Sequence, residues 1–445
     1  MKNTLLPLRM PLFAPTFVSC LLAACGGSSG DVVQDPAAGA SVAAVQAQPA
    51  NEAPIETLAQ LAAPAATAPS ATAPSATVPG NPVTSGTVRA VGPGKPYATP
   101  CKAFAAAVHG DTIEIDAAGT YSGDVCAIQR DNLTIRGVNG RPKIDAAGMN
   151  ALGKGIWVVA GANTVIENVE MFGARVPDKN GAAIRLDGRH LTLRNSYLHE
   201  NEMGILTNND GVSHIVIENS EFAGNGFSDG YSHNVYIGHV ASLVFRGNYS
   251  HDARVGHNLK TRAETNTIVY NRFSSSGAGE PSYEIDMPNA GLAYVIGNVI
   301  QQPAANQNAS LISFGAEGAT NARKELYVVN NTFINDALSG TFIVVGTGVT
   351  TPVLIQNNIF AGAGTITNQY GAIDRNNVKA LTPAFTDRAA YDLRPAPGSP
   401  AINAGVPVVT PSGMSLLPQA EYRHVGGTAA RPVNGQIDIG AYEAQ

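Results

Sequence analysis

The sequence predicts an all-β solenoid of short strands, closed at its start by a short helix and at its end by an irregular segment. Three observations carry this expectation. One cassette, a run of β-branched or apolar residues followed by asparagine, recurs between Val165 and Asn358. The chain is only 14% charged, against about 25% in an ordinary soluble domain, yet not unusually apolar at 44%. Glycine supplies 47 of the 445 residues. Scarce Glu and Lys exclude a coiled coil or long helices. A net charge of −6 with no run of Lys or Arg argues against a nucleic-acid partner, which requires a basic stripe to neutralise phosphate. The polar surface therefore comes mainly from Asn, Thr, Ser and Gly, as on turn-rich solenoids.

Taken in order, residues 1–24 read as an address. Lys2 and Arg9 precede an apolar stretch, Leu12 to Leu22, too short to span a bilayer. It ends Leu22-Ala23-Ala24-Cys25-Gly26, which resembles the lipobox of bacterial lipoproteins. That resemblance implies lipidation of Cys25 and a place in the bacterial cell envelope, at the outer membrane, with the lipid as the only membrane contact. An ordinary cleaved signal would instead leave a secreted protein. Residues 25–86 are Ala, Pro, Thr and Ser with few charges, and cannot bury enough surface to offset their entropy; a disordered tether is expected. Cys20 leaves with the signal. Cys101 and Cys126 remain, an even pair in an oxidising compartment, so a disulfide is expected, with metal binding by two thiols as the weaker alternative. Such a bridge is worth up to about 3 kcal/mol in the chain-entropy model.

The folded part is expected over 87–379, with a capping segment over 380–445. Pro100 to Val108 reads as an Ala-rich helix with Thr99 at its N-cap, and Gly110-Asp111 turns into the alternating strand Thr112–Ile115. A solenoid needs such an element over its open first coil. The cassette follows as Val165-Ile166-Glu167-Asn168, Thr192-Leu193-Arg194-Asn195 and Val216-Ile217-Glu218-Asn219. It continues through Asn248, Asn271, Asn298, Asn331 and Asn358, the eight asparagines lying 27, 24, 29, 23, 27, 33 and 27 residues apart. A β-sandwich would show turns every 8–12 residues or so, whereas this irregular spacing suits coils whose loops vary in length. Stacked asparagines at one turn hydrogen-bond along the stack. These residues resemble the right-handed parallel β-helix superfamily, typified by pectate lyases and other polysaccharide-active proteins, over about 100–380. The resemblance implies a right-handed parallel β-helix solenoid and is specific for fold rather than activity. Asp438-Ile439-Gly440-Ala441-Tyr442-Glu443 looks like the closing segment of secreted β-helix proteins, and a capping role over the last coil is expected of it.

A second strand in each coil gives a face. Ile156, Ile184, Ile205, Val235, Leu259, Ile285, Ile312 and Ile343 are taken as its first inward residues. Side chains alternate across a strand, so Trp157, Arg185, Leu206, Tyr236, Lys260, Asp286, Ser313 and Val344 should point outward, flanked by Asn234, Asn258 and Glu284 on one side and Asp187, Asn208 and Arg262 on the other. Neighbouring coils lie about 4.8 Å apart. Tyr236, Lys260, Arg262, Glu284 and Asp286 then form one patch in a charge-poor protein. The bland alternative is a solvated ladder in which Lys260 pairs with Glu284 or Asp286. Trp157 and Tyr236 on the same face favour a groove where rings stack on sugars, although Trp157 also suits a hydrophobic cover near the first coils.

The segment Gly256-His257-Asn258-Leu259-Lys260-Thr261-Arg262, followed by Asn266 and Asn271, resembles the central Asn-Lys-Ser segment of β-helix alginate lyases and chondroitinase-B-like enzymes. In that family the lysine removes the C5 proton of a uronic acid, and Lys260 falls on it. The resemblance implies an acidic polysaccharide as partner and β-elimination as reaction. The carboxylate is neutralised by Arg262 or Arg185, the proton taken by Lys260, and the leaving oxygen protonated by Tyr236, His233 or His257. The two histidines have a plain alternative as corner residues satisfied by backbone. The chain departs from the family twice: Asp286 beside Glu284 stands where an arginine is expected, and His251-Asp252-Ala253-Arg254 stands where the family has paired glutamates for Ca²⁺. No cofactor is fixed by the sequence; Ca²⁺ held by carboxylates with Asn208 is the one candidate. Three other readings stay open: a glycoside hydrolase using Glu284 and Asp286, or either with Asp187; a uronate epimerase; and a non-catalytic carbohydrate-binding or surface-scaffold protein.

Overall fold

Short strands with one apolar face need coverage on that face, and here the chain supplies it by winding on itself. The computed structural model describes residues 86–275 and 279–444. Residues 1–85, on which the expected signal segment, the lipidation of Cys25 and the expected tether fall, lie outside them. Each coil contributes strands to three parallel sheets of 12, 10 and 11 strands, in which each strand pairs with its counterparts one coil before and after. The chain is thus a parallel β-helix with very little helix. Down the twelve-stranded sheet Ile113, Ile135, Ile166, Leu193, Ile217, Phe245 and Ile268 stand in register and are fully buried. Each such side chain contributes about 1.5–3 kcal/mol, and their alignment makes one continuous core.

The corners carry the polar part of the fold, and here the structure corrects the single asparagine column. Two adjacent positions are involved. The first adopts a left-handed backbone: Asn168 (φ 57°), Asn195 (φ 51°), Asn219 (φ 50°), Gly247 (φ 65°), Tyr270 (φ 56°) and Gly297 (φ 65°). Asparagine and glycine tolerate that region. The residue after it turns inward, and in the later coils it is asparagine: Asn248, Asn271, Asn298, Asn331 and Asn358, all fully buried. The Asn271 Oδ1 accepts the Asn248 backbone N–H at 2.8 Å, Asn298 does the same for Asn271 at 2.9 Å, and Asn331 for Asn298 at 2.9 Å. In earlier coils Ser196 and Ser220 hold this inward position. Asparagine serves both positions for different reasons, so sequence spacing merges them.

The helix forms over Pro100–Ala106 behind a first strand, Val88–Val91, that pairs with Thr112–Asp116. Thr99 sits at the N-cap but makes no side-chain cap bond; Asp124 accepts the Cys101 N–H at 2.8 Å instead. Proline at the first helical position leaves one donor fewer to satisfy. Cys101 and Cys126 are disulfide-bonded, tying the helix to the first strand of the ten-stranded sheet. After the last coil the chain runs back along the solenoid. Gly440 N–H reaches the Asn357 carbonyl at 2.9 Å, Ala441 N–H the Thr332 hydroxyl at 3.0 Å, and Gln419 N–H the Tyr270 hydroxyl at 2.9 Å. A buried network holds this segment together: Arg431 pairs with Glu443 at 2.6 Å, and Glu421 accepts the Glu443 N–H at 2.7 Å.

The two corner positions should respond differently to mutation. Asn298→Ala strips the acceptor from two buried donors of Asn271 and is expected to cost about 2–4 kcal/mol; Asn195→Gly should be nearly neutral, because that side chain is exposed and glycine accepts the same backbone. Urea midpoints check this, and equal losses would contradict the assignment of the two columns.

Candidate active site

Seven of the eight positions assigned as inward in the ten-stranded sheet are in register: Ile184, Ile205, Val235, Leu259, Ile285, Ile312 and Ile343. The first is not. Trp157, not Ile156, pairs with Ile184, so the indole points inward and is fully buried. Phe104 of the helix meets it edge-on, with ring centroids 5.3 Å apart. Trp157 is therefore the hydrophobic cover of the first coils and takes no part in the outer groove. The strand reads Gly-Ile-Trp-Val-Val, with no polar residue to mark its outer face, and the space under Phe104 decides the register.

The flanking column also turns inward. Asn234, Asn258 and Glu284 precede their strands, so the alternation of the strand does not govern them. They continue a second buried amide ladder: Asn201 and Asn225 lead to Asn234, whose Nδ2 donates to Asn258 Oδ1 at 2.8 Å; Asn258 Nδ2 donates to Glu284 Oε2 at 2.5 Å. Glu284 is 1% exposed and its Oε1 has no hydrogen-bond partner among the described residues. Burial pushes its carboxyl up to about 8, with Asp252 adding to the shift against the Asn258 amide. It faces the ladder, not the groove.

From Arg185 onward the outward column is in register, with Arg185, Leu206, Tyr236, Lys260, Asp286 and Ser313 in successive coils. Three of its neighbours converge. Arg262 Nε donates to the Tyr236 hydroxyl at 2.8 Å, and Lys260 Nζ lies 5.7 Å from the Tyr236 ring centroid. The fourth member was not legible in the strands. Glu317, in the loop between Ser310–Phe314 and Leu326–Val329, accepts from Lys260 Nζ at 3.0 Å through one oxygen and from Arg262 Nη2 at 2.5 Å through the other. Nothing in the periodicity marks a loop residue; the only signal is an acid in an otherwise uncharged turn, Gly315-Ala316-Glu317-Gly318.

Asp286 lies beneath, 3.6 Å from Lys260 Nζ and 3.5 Å from His257 Nε2. Burial raises its pKa, while Lys260 pulls the other way. Burial opposes the Arg262 charge, yet Tyr236 and Glu317 hold its pKa above the ordinary arginine value. His233 and His257 stack at 4.6 Å as corner residues. The His257 backbone N–H bonds His233 Nδ1 at 3.0 Å, and the Tyr283 N–H bonds His257 Nδ1 at 3.1 Å. Burial keeps His233 well below the usual histidine range, with His257 and Lys260 adding to it. Tyr236 is thus the acid candidate that shares Arg262's face, while both histidines support from below.

Arg185 and Asp187 stand apart, paired with each other at 3.1 Å, and Lys154 holds the second Asp187 oxygen at 2.6 Å. Asn208 Nδ2 bonds the Asp187 and Gly188 carbonyls. These groups do not fit Ca²⁺, since both carboxylate oxygens already serve cations. Among the described residues no group of three or more His, Cys, Asp or Glu is placed to hold a metal ion.

A solved structure described as pectate lyase Pel9A superimposes on this chain with a TM-score of 0.53 at 15% identity, covering 82% of this chain and 98% of that one. The fold is that of a pectate-lyase-like parallel β-helix. No family model matches the sequence, and no curated protein matches it. The pectate-lyase-like coil explains how the Lys260 cluster is assembled: residues 24 or 26 apart in sequence become neighbours on adjacent strands.

Glu284 gives a pH test of this geometry. Its raised pKa means the folded protein keeps a proton that the unfolded chain releases near the ordinary value of 4.5. The stabilisation is complete below that pH and is lost as pH rises through about 8. Glu284→Gln should remove this dependence, so the stability difference between the two proteins changes by up to about 1.4 kcal/mol per pH unit in that window. Parallel stability curves across it would place the carboxyl in solvent.

Proposed function

We propose that this protein acts on an acidic, uronate-containing polysaccharide in the cell envelope and cleaves it by β-elimination. The observation that supports this reading is the convergence of Lys260, Arg262 and Tyr236 on one outward face, with a carboxylate, Glu317, seated between the two cations. Elimination α to a carboxylate needs a cation on that carboxylate, a base at C5 and a proton for the leaving oxygen. Arg262 serves the first role and Lys260, once it has given up its proton, the second. The C5–H electrons form the C4–C5 double bond as the C4–O bond breaks, and the Tyr236 hydroxyl gives its proton to the departing oxygen. Lys260 and Tyr236 end as ammonium and phenolate, and proton exchange with water resets them. Substrate enters by displacing Glu317, whose place the uronate carboxylate takes.

A non-catalytic carbohydrate-binding role draws on a different observation: Lys260 is engaged by both Glu317 and Asp286 and its side chain is only 3% exposed, a geometry for holding as much as for reacting. A hydrolase through Glu284 and Asp286 has less support, because the two carboxylates face opposite ways. Alginate, pectate and glycosaminoglycans separate these readings. The lyase should produce the ultraviolet absorbance of an unsaturated uronate, and Lys260→Met should lower that rate by at least about 100-fold while glycan binding persists. Binding without any product, unaffected by Lys260→Met, would replace the lyase with a binding protein. New reducing ends without the chromophore would replace it with a hydrolase.

A further inference from the structure

Arg272 begins the strand Arg272–Ser274 of the eleven-stranded sheet, on a different sheet from Lys260, with Tyr249 beside it in the preceding coil. The residue is only 7% exposed. Its guanidinium lies between two rings, 3.9 Å from the Tyr391 centroid and 5.1 Å from that of Tyr249. Among the described residues it makes no ion pair and no side-chain hydrogen bond, and its Nε is enclosed without an acceptor. Arg431, also 7% exposed, shows what a buried arginine normally receives: Glu443 at 2.6 Å and two backbone carbonyls. Two tyrosine faces offset part of the cost of burying a charge, but they accept none of the five N–H donors.

The donors border a cavity of about 210 Å³ between the sheet and the returning C-terminal segment. Arg394 and Arg423 also line it, with Tyr422 and Tyr442. Its two carboxylates are already committed. Asp392 is held by Arg394 through both oxygens, at 2.7 and 2.5 Å, and Glu421 accepts the Glu443 N–H, with burial raising its pKa. Arg272 and Arg423 therefore leave the cavity cationic. Tyr391, 41% exposed, forms one wall and also borders a neighbouring cavity of about 400 Å³.

We propose that this cavity is an oxyanion site that takes the carboxylate of an acidic saccharide, with Arg272 as the anion fork and the Tyr391 ring as a stacking wall. The choice of a saccharide rests on the function proposed above; the oxyanion site stands on Arg272 alone. Such a site would hold the polymer away from the reacting face.

Isothermal titration and thermal shift of the full chain with sodium sulfate and with digalacturonate test it. Saturable binding of both is expected, with Arg272→Met weakening each by about tenfold or more. Tyr391→Ala, at a half-exposed ring, should weaken digalacturonate alone. Lys260→Met serves as the control for the reacting face, so binding lost there and kept in Arg272→Met belongs to that face and overturns the proposal. Sulfate binding that depends on Arg272 without any digalacturonate binding keeps the oxyanion site and overturns the saccharide. Wild-type affinity for both probes in Arg272→Met, or no saturable binding of either, overturns the site altogether.

Discussion

Every coil of this solenoid must turn three times while its interior stays dry, and the buried amide ladders are what allow it. Each turn exposes backbone N–H groups toward the core, where an unpaired donor is costly. Asn248, Asn271, Asn298, Asn331 and Asn358 answer with one oxygen for the preceding coil's N–H and one NH₂ for its carbonyls. The same device, repeated through Asn201, Asn225, Asn234 and Asn258, sets the corner from which the strands bearing Tyr236, Lys260 and Asp286 depart. Coil height is thereby fixed by hydrogen-bond length, and coil height in turn spaces the reactive face.

Much of the architecture was legible because polar and apolar residues alternate where a strand has one wet face. Val235-Tyr236-Ile237 and Leu259-Lys260-Thr261 declare their register, and the Tyr236–Lys260–Asp286 column followed directly. Trp157 was misread because its strand is apolar on both faces, leaving nothing to distinguish one register from the next. Asn234, Asn258 and Glu284 were misread for another reason: the rule of alternation ends where the strand ends, and these residues belong to the corner. Glu317 was invisible because it belongs to no repeat; it reaches the site only through a loop whose path is set by tertiary packing.

Charge scarcity gives the cluster its meaning. Two cations, two carboxylates and a tyrosine gather on one face of a chain that is 14% charged. Glu317 bridges Lys260 and Arg262 as a carboxylate ligand does, from a mobile class of element rather than from the scaffold. A site built on rigid strands and occupied by a loop carboxylate is prepared for exchange with a carboxylate from outside. The paired Asp187 and the ladder-bound Glu284 lack that property, each being fixed by partners from its own coil or the one before.

The most direct measurement is a crystal structure of the Tyr236→Phe variant, which keeps both cations but cannot protonate the leaving oxygen, grown with trigalacturonate. The expected result is a uronate carboxylate between Lys260 and Arg262, with Glu317 displaced and C5 facing the Lys260 amine. A saccharide bound elsewhere, with Glu317 still bridging the two cations, would contradict it.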